Sequence, residues 1–302
     1  MRSRRRIRWA AVPLAVTMAV ILAGCTPAQL NGFLPGFQEN QSAVTSNTSR
    51  VSDLWVGSWI VLLAVGVLTW ALIIWAAVVY RRRRGQVGLP VQLRYNMPIE
   101  IFYTVVPLIL VLGFFAFTAR DQAVIEARAE EPDVTIEAYG KQWAWDFNYL
   151  DEDVYSAGIQ AQPEAPGVAD TGVVQEDLPV LVLPVDKTVE IQLKSRDVIH
   201  SFWVVDFLYK KDMIPGKTNY MTVTTTREGT YAGKCAELCG DYHSQMLFTV
   251  KVVSQTEYDA YTASLREQGF EGRLGDEYNR NLNEPGNSVP SEGSDDITSQ
   301  VD

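Results

Sequence analysis

Histidine and cysteine are scarce in this chain: two His and three Cys among 302 residues, with four of the five confined to the stretch from His200 to His243. So few exclude an array of zinc fingers and a disulfide-stapled scaffold, and the lack of any C-x-x-C-H string excludes a c-type haem. Metal chemistry, if present, has to use nearly all of them at one place. Positive charge is also in short supply. The formal net charge is −10 even though five Arg fall within the first eight residues. From Asp121 to Asp302 there are 33 acids against 14 bases, a net of −19. Phosphate binding needs a basic footprint, so nucleic acid is excluded as a partner.

Long apolar runs, by contrast, are plentiful. Ala10 to Ala23 follows the basic N-terminus and ends in Leu22-Ala23-Gly24-Cys25. At about 1.5 Å per residue this run spans about 21 Å, short of the roughly 30 Å bilayer core, so 1–24 reads as a secretory signal. The L-A-G-C ending resembles a bacterial lipoprotein box, which implies lipidation of Cys25. The alternative is an uncleaved signal in which Cys25 is incidental. Residues 54–80 carry no charge and stop at Arg81-Arg82-Arg83-Arg84, and residues 99–119 carry only Glu100. They predict a transmembrane hairpin over 54–119 whose basic loop, 81–98, is cytoplasmic. The linker 25–53 and everything after Arg120 are then outside a bacterial cell membrane. Pro107 removes a hydrogen bond inside the second helix and predicts a kink there.

Beyond residue 120 the pattern changes to short β-rich runs: Val134–Tyr139, Val180–Val185, Val189–Leu193, Ser201–Val205, Tyr220–Thr226 and Leu247–Val253. They predict an antiparallel sandwich or barrel over 120–269, with 155–178 as a surface loop. Ser254 and Glu257 form the signature of a capping box, followed by a short helix with Tyr258, Tyr261 and Leu265 on one face. Residues 270–302 are acidic and nearly devoid of large apolar side chains, the composition of a disordered tail.

The scarce residues make one constellation. His200 stands before a strand, and Cys235, Cys239, His243 and Met246 follow as H-x34-C-x3-C-x3-H-x2-M. Two thiols, two imidazoles and a thioether are a soft set suited to copper. One Cys with His and Met describes a mononuclear blue site, and the second Cys supplies the extra thiolate a dinuclear site needs. A disulfide is the plain reading of two cysteines outside the cell. It does not explain why both histidines and Met246 stand at ligand spacing.

With these residues in view, the chain resembles subunit II of the haem-copper cytochrome c oxidases from about residue 50 to 266, in an actinobacterial-type form with a lipoprotein start. The resemblance also rests on Asn96-Met97-Pro98-Ile99-Glu100 with Val106-Pro107, on Tyr139-Gly140-Lys141-Gln142-Trp143-Ala144-Trp145, on Val198-Ile199-His200-Ser201-Phe202, and on Asp212-Met213-Ile214-Pro215-Gly216. Quinol oxidase subunit II is similar but lacks the ligands. The resemblance implies a membrane-anchored all-β protein whose cupredoxin-like barrel holds the dinuclear CuA centre. Cys235 and Cys239 would bridge both coppers, His200 and Met246 would complete one, and His243 with the Glu237 backbone carbonyl the other. The Glu237 side chain would face a magnesium or manganese ion shared with subunit I.

The same resemblance implies an aa3-type oxidase in which electrons from cytochrome c, or from the cytochrome c subunit of a bc complex in a supercomplex, pass to haem a of subunit I. There oxygen is reduced to water and protons are pumped, with subunits I and III as partners. Trp143 would be the residue where the electron enters, and Glu100 the mouth of a proton channel. From the residues alone, Glu100 is equally a snorkelling carboxylate. Tyr139, Trp143, Trp145, Phe147 and Tyr149 are, on an extended segment, one face of core packing. Asp146, Asp151, Glu152, Asp153 and Asp206 are candidates for steering a basic donor. Lys217 and Lys141 depart from the family's usual Arg and His. A rival from another class is a membrane-tethered copper-binding or copper-delivery lipoprotein, which requires neither Glu100, Trp143 nor the hairpin.

Overall fold

The computed structural model describes residues 42–83, 85–89, 94–162 and 178–280. The signal segment, Cys25, residues 163–177 of the expected surface loop and the acidic sequence beyond Arg280 lie outside them. The chain divides into two units, a helical one over Ser49–Ala127 and a second that takes the rest.

The helical unit is the expected hairpin, with longer helices than the apolar runs suggested: α1 is Thr48–Val79 and α2 is Met97–Ile125. At about 1.5 Å per residue they are about 48 and 43 Å long, more than a bilayer core requires. The extra turns are polar and tied together, because Arg50 and Arg120 both reach the buried Asp121 carboxylate, at 2.9 and 3.2 Å. At the other end of α2 the Asn96 side chain accepts from Ile99 N while the Glu100 carboxylate accepts from Asn96 N at 2.8 Å. Glu100 therefore closes a reciprocal N-terminal cap, a role its isolation in the sequence did not disclose. The helix runs on through Pro107.

The second unit is built from ten strands: β1 Val134–Lys141, β2 Ala144–Tyr149, β3 Val154–Ala157, β4 Val180–Pro184, β5 Thr188–Ser195, β6 His200–Val204, β7 Tyr209–Met213, β8 Asn219–Thr224, β9 Gly229–Cys235 and β10 Leu247–Val253. Two five-stranded sheets face each other, in the orders β3-β2-β1-β5-β8 and β4-β10-β9-β6-β7. This is the expected all-β barrel with a correction. It is not purely antiparallel, since β1 pairs β5 and β4 pairs β10 in parallel. The chain crosses from the first sheet into the second at β4 and back at β5, and a strand that returns after visiting the other sheet can run in its neighbour's direction. The interior is aromatic: Phe202 stacks on Phe248 with ring centroids 5.0 Å apart, and Trp145 packs on Phe248 at 4.8 Å. Gly233 lies opposite Phe248 in the register, and any Cβ there would sit 2.3 Å from the phenyl ring. Helix α3, Gln255–Glu267, carries the expected capping box and buries Tyr258 and Leu265, with Tyr261 against Tyr149.

The aromatic stripe expected on one face is split. Gln142 and Trp143 form a two-residue turn between β1 and β2, and the register sets Tyr139 opposite Asp146. Trp145, Phe147 and Tyr149 thus point into the core, while Tyr139 shares the outer face with Glu137, Asp146 and Asn148. Asp146 is consequently no steering residue: it is buried between Lys141 Nζ at 2.7 Å and Arg196 Nε at 2.9 Å. The 150–153 turn lies at the end of β2 remote from Trp143, a strand length of about 20 Å away.

The tail expected from Phe270 onward also needs correction, because 270–280 is an ordered strap over that outer face. Arg273 Nε reaches the fully buried Glu137 at 2.7 Å, Asn148 accepts from Leu274 N, and Arg196 donates to the carbonyls of Leu274 and Gly275. Tyr139 donates to Asp276 at 2.7 Å. Composition suggested disorder because the strap is held by charge pairs and backbone hydrogen bonds rather than by apolar side chains.

Burial pushes the Glu137 carboxyl up, but Arg273 and Lys194 outweigh it and hold the group below its ordinary value of 4.5. A carboxyl lowered on folding contributes stability that is complete above the ordinary value and is lost as pH falls through the folded one. Thermal unfolding midpoints should therefore drop on acidification below about pH 4.5. Glu137→Gln should flatten that acid limb while lowering stability at neutral pH, and an unchanged limb would show that Glu137 is not its source.

Candidate metal centre

Four of the five candidate ligands belong to one connection. β9 ends at Cys235 and β10 begins at Leu247, so Cys239, His243 and Met246 ride on the loop between two paired strands. Its base is tied by Cys235 N donating to Met246 O at 2.9 Å and Ala236 N donating to Ser201 O at 3.0 Å. His200 opens β6, which pairs with β9 so that Phe202 faces Cys235, and the imidazole arrives at the same end of the sheet.

The donor atoms converge. His200 Nδ1 lies 3.8 Å from Cys235 Sγ, the two Sγ atoms are 3.9 Å apart, and Cys239 Sγ is 3.5 Å from His243 Nδ1 and 3.7 Å from Met246 Sδ. The Glu237 carbonyl is 3.2 Å from Cys235 Sγ, while its side chain is exposed. His200, both thiols and Met246 are buried, with His243 half-buried at the rim. Both cysteines are free thiols. The fold thus brings together the five side chains that the sequence singles out. Cys25 lies outside the described residues, and Glu100 belongs to the other unit.

Two supporting groups escaped notice in the sequence. Asp197 Oδ1 is 2.8 Å from His200 Nε2, and the same carboxylate accepts from Gln142 N and Val198 N, each at 2.8 Å. A carboxylate only accepts, so in the neutral imidazole Nε2 carries the proton and Nδ1 turns its lone pair toward Cys235. An acid three residues before a ligand histidine was the available signal. Gly140 is the other: a Cβ there would lie 2.9 Å from His200 Cδ2, so only glycine lets β1 approach the ring. On the outer side, Gln142 Nε2 and Trp143 Nε1 both donate to the Cys239 carbonyl, at 2.8 and 3.2 Å. The Trp143 ring meets Tyr242 edge-on.

The thiols differ. Burial pushes Cys235 up, but contacts with His200, Glu237 and Ser201 outweigh it and bring the thiol below its ordinary value. Burial and the neighbouring Cys235 push Cys239 above it. Two thiols this close lose their protons in separate steps. In the metal-free reduced chain, thiolate absorbance measured against a Cys235→Ser, Cys239→Ser blank should rise in two separate steps, one below and one above the ordinary thiol value. Two superimposed steps near the ordinary thiol value would contradict this arrangement.

The family described as cytochrome C oxidase subunit II, periplasmic domain, matches residues 134–253. A Streptomyces avermitilis protein described as a probable cytochrome c oxidase subunit 2 is 44% identical over 298 residues, covering 90% of this chain and 92% of that one. Cytochrome c oxidase subunit 2 of Mycobacterium tuberculosis is 32% identical over 311 residues, covering 89% and 83% respectively. Among solved structures, the periplasmic domain of subunit II of cytochrome oxidase from Bradyrhizobium japonicum is 32% identical, covers 47% of this chain and 99% of its own, and has a TM-score of 0.40. Relatives this similar over most of its length show that the chain belongs to the cytochrome c oxidase subunit II family.

Proposed function

We propose that this chain is the electron-accepting subunit of an aa3-type cytochrome c oxidase. The observation that carries the reading is the connected set of donor atoms: His200 and Cys239 each lie within 3.9 Å of Cys235 Sγ, and His243 and Met246 each lie within 3.7 Å of Cys239 Sγ. Thiolate, thioether and imidazole donors suit copper, and a closed zinc site rarely takes Met, so the donor set fits. Cys235, Cys239, His200, Met246, His243 and the Glu237 carbonyl would hold the copper pair. A copper pair bound there supplies a one-electron acceptor that shares its charge between two metals.

The chain's own residues do the rest. The two thiols give up their protons on binding, and Asp197 keeps His200 Nδ1 directed at the site. The paired strands β6, β9 and β10 hold the donors in place, which limits rearrangement when charge arrives. Trp143, half-buried beside the centre, is where an electron enters from the ferrous haem of cytochrome c or of the cytochrome c subunit of a bc complex, leaving that haem ferric. Its Nε1–H contact with the Cys239 carbonyl links the indole to a ligand residue. A copper pair held there would supply the electron to haem a of subunit I. The exposed Glu237 carboxylate is available to a magnesium or manganese ion at that interface, and Glu100 marks the cytoplasmic mouth of a proton channel. The hairpin and a lipid on Cys25 anchor the subunit in the bacterial membrane beside subunits I and III.

Trp143→Gln in the assembled oxidase tests this reading. The copper absorption should persist while reduction by ferrous cytochrome c slows by more than about tenfold, a barrier rise above about 1.4 kcal/mol. Reduction at the unaltered rate would show that the electron enters elsewhere.

A further inference from the structure

We propose that Tyr242 is a positioning residue for electron entry, holding the Trp143 indole against the Cys239 carbonyl. The inference rests on the reading of Trp143 given above. Trp143 needs such support because of where the fold puts it. The β1–β2 ladder ends at the pair Lys141 and Ala144, so Trp143 sits in the turn beyond the last paired residues. Its Nε1–H bond to Cys239 O, at 3.2 Å, shares that acceptor with the shorter bond from Gln142 Nε2 at 2.8 Å. A shared carbonyl alone fixes the ring poorly.

Two features of the ligand loop close the remaining freedom. The Tyr242 ring meets the indole edge-on, with centroids 5.0 Å apart and planes at 68°. Gly240 also abuts it, with φ +124°, where an added Cβ would lie 3.1 Å from Trp143 Cζ2 and 3.2 Å from Nε1. The indole therefore rests directly on the Gly240 backbone and is backed by Tyr242. Both belong to the segment that carries Cys239 and His243, so the ring is referenced to the ligands themselves rather than to its own turn. Tyr242 is 45% exposed. An exposed aromatic of that size is dispensable for the core, and its ring rather than its hydroxyl makes the contact.

The step it serves moves one electron: the donor haem goes from ferrous to ferric and the copper pair is reduced by one, with no bond made or broken. Electron tunnelling falls off steeply with distance, so a ring that swings away from Cys239 slows transfer without weakening donor docking.

The test uses the full chain in its assembled oxidase, with Tyr242→Ala, Tyr242→Phe and Trp143→Gln compared. Single-turnover reduction by ferrous cytochrome c is measured across donor concentration, and fluorine NMR of fluorotryptophan-labelled chain follows the Trp143 line, assigned by its loss in Trp143→Gln. Tyr242→Ala should lower the saturating rate about 2- to 10-fold, the range for an aromatic edge contact. The concentration for half-saturation and the copper spectrum should stay unchanged, and the Trp143 line should shift and narrow. Tyr242→Phe should restore both rate and line. An unchanged saturating rate or Trp143 line in Tyr242→Ala, an altered copper spectrum, or equal damage from Tyr242→Phe would overturn the proposal. If Trp143→Gln itself were reduced normally, the reading beneath it would fail instead, and the fluorine line would still report whether Tyr242 holds the ring.

Discussion

Phe202 and Cys235 face each other across two antiparallel strands, and the candidate metal centre depends on that pairing. It carries His200, two residues before Phe202, to the end of the sheet where the β9–β10 loop begins. The loop then has to deliver Cys239, His243 and Met246 within one short excursion, and the bond from Cys235 N to Met246 O fixes where it starts and ends. A slip of one residue between β6 and β9 would turn Cys235 to the other face and separate it from His200. The Phe202, Phe248 and Trp145 cluster lies beneath the loop and makes such a slip costly, because it would expel large apolar rings from the core.

A second line of order reaches the centre from the chain's other end. The 270–280 strap buries Glu137 and Arg196 on the outer face of the first sheet, and Arg196 receives hydrogen bonds along with making them: Arg280 N donates to its carbonyl at 2.7 Å. The next residue is Asp197, which orients His200. The strap, the buried charge network and the imidazole are thus consecutive links. Glu137, Asp146 and Asp276 are matched by Arg273, Lys194, Lys141 and Arg196, so the cost of burying charge is offset by close pairing.

The parts legible in the sequence were those with a short-range signature. Uncharged runs marked the hairpin, β-branched runs marked six of the strands, Ser254 and Glu257 marked α3, and the scarcity of His and Cys marked the ligands. What escaped depends on long-range placement. The turn at Gln142 and Trp143 reverses which face Tyr139 occupies, and no period-two count along one strand reveals it. β7 and β9 are rich in Lys, Gly and Thr, so their pairing rather than their composition defines them. The strap has the composition of disorder because its anchors, Arg273 and Asp276, resemble solvated charge, and only the fold sets Glu137 and Tyr139 opposite them. Asp197 was one more acid among many.

The proposed function requires two metals on one chain, since a mononuclear blue site needs only one Cys with His and Met, and the second thiol is what a dinuclear site adds. Metal analysis together with electron paramagnetic resonance of the intact copper-loaded chain tests this most directly. The account predicts two coppers per chain and, after one-electron oxidation, a signal whose hyperfine structure is shared equally by two copper nuclei. One copper per chain, or a signal confined to a single nucleus, would contradict it.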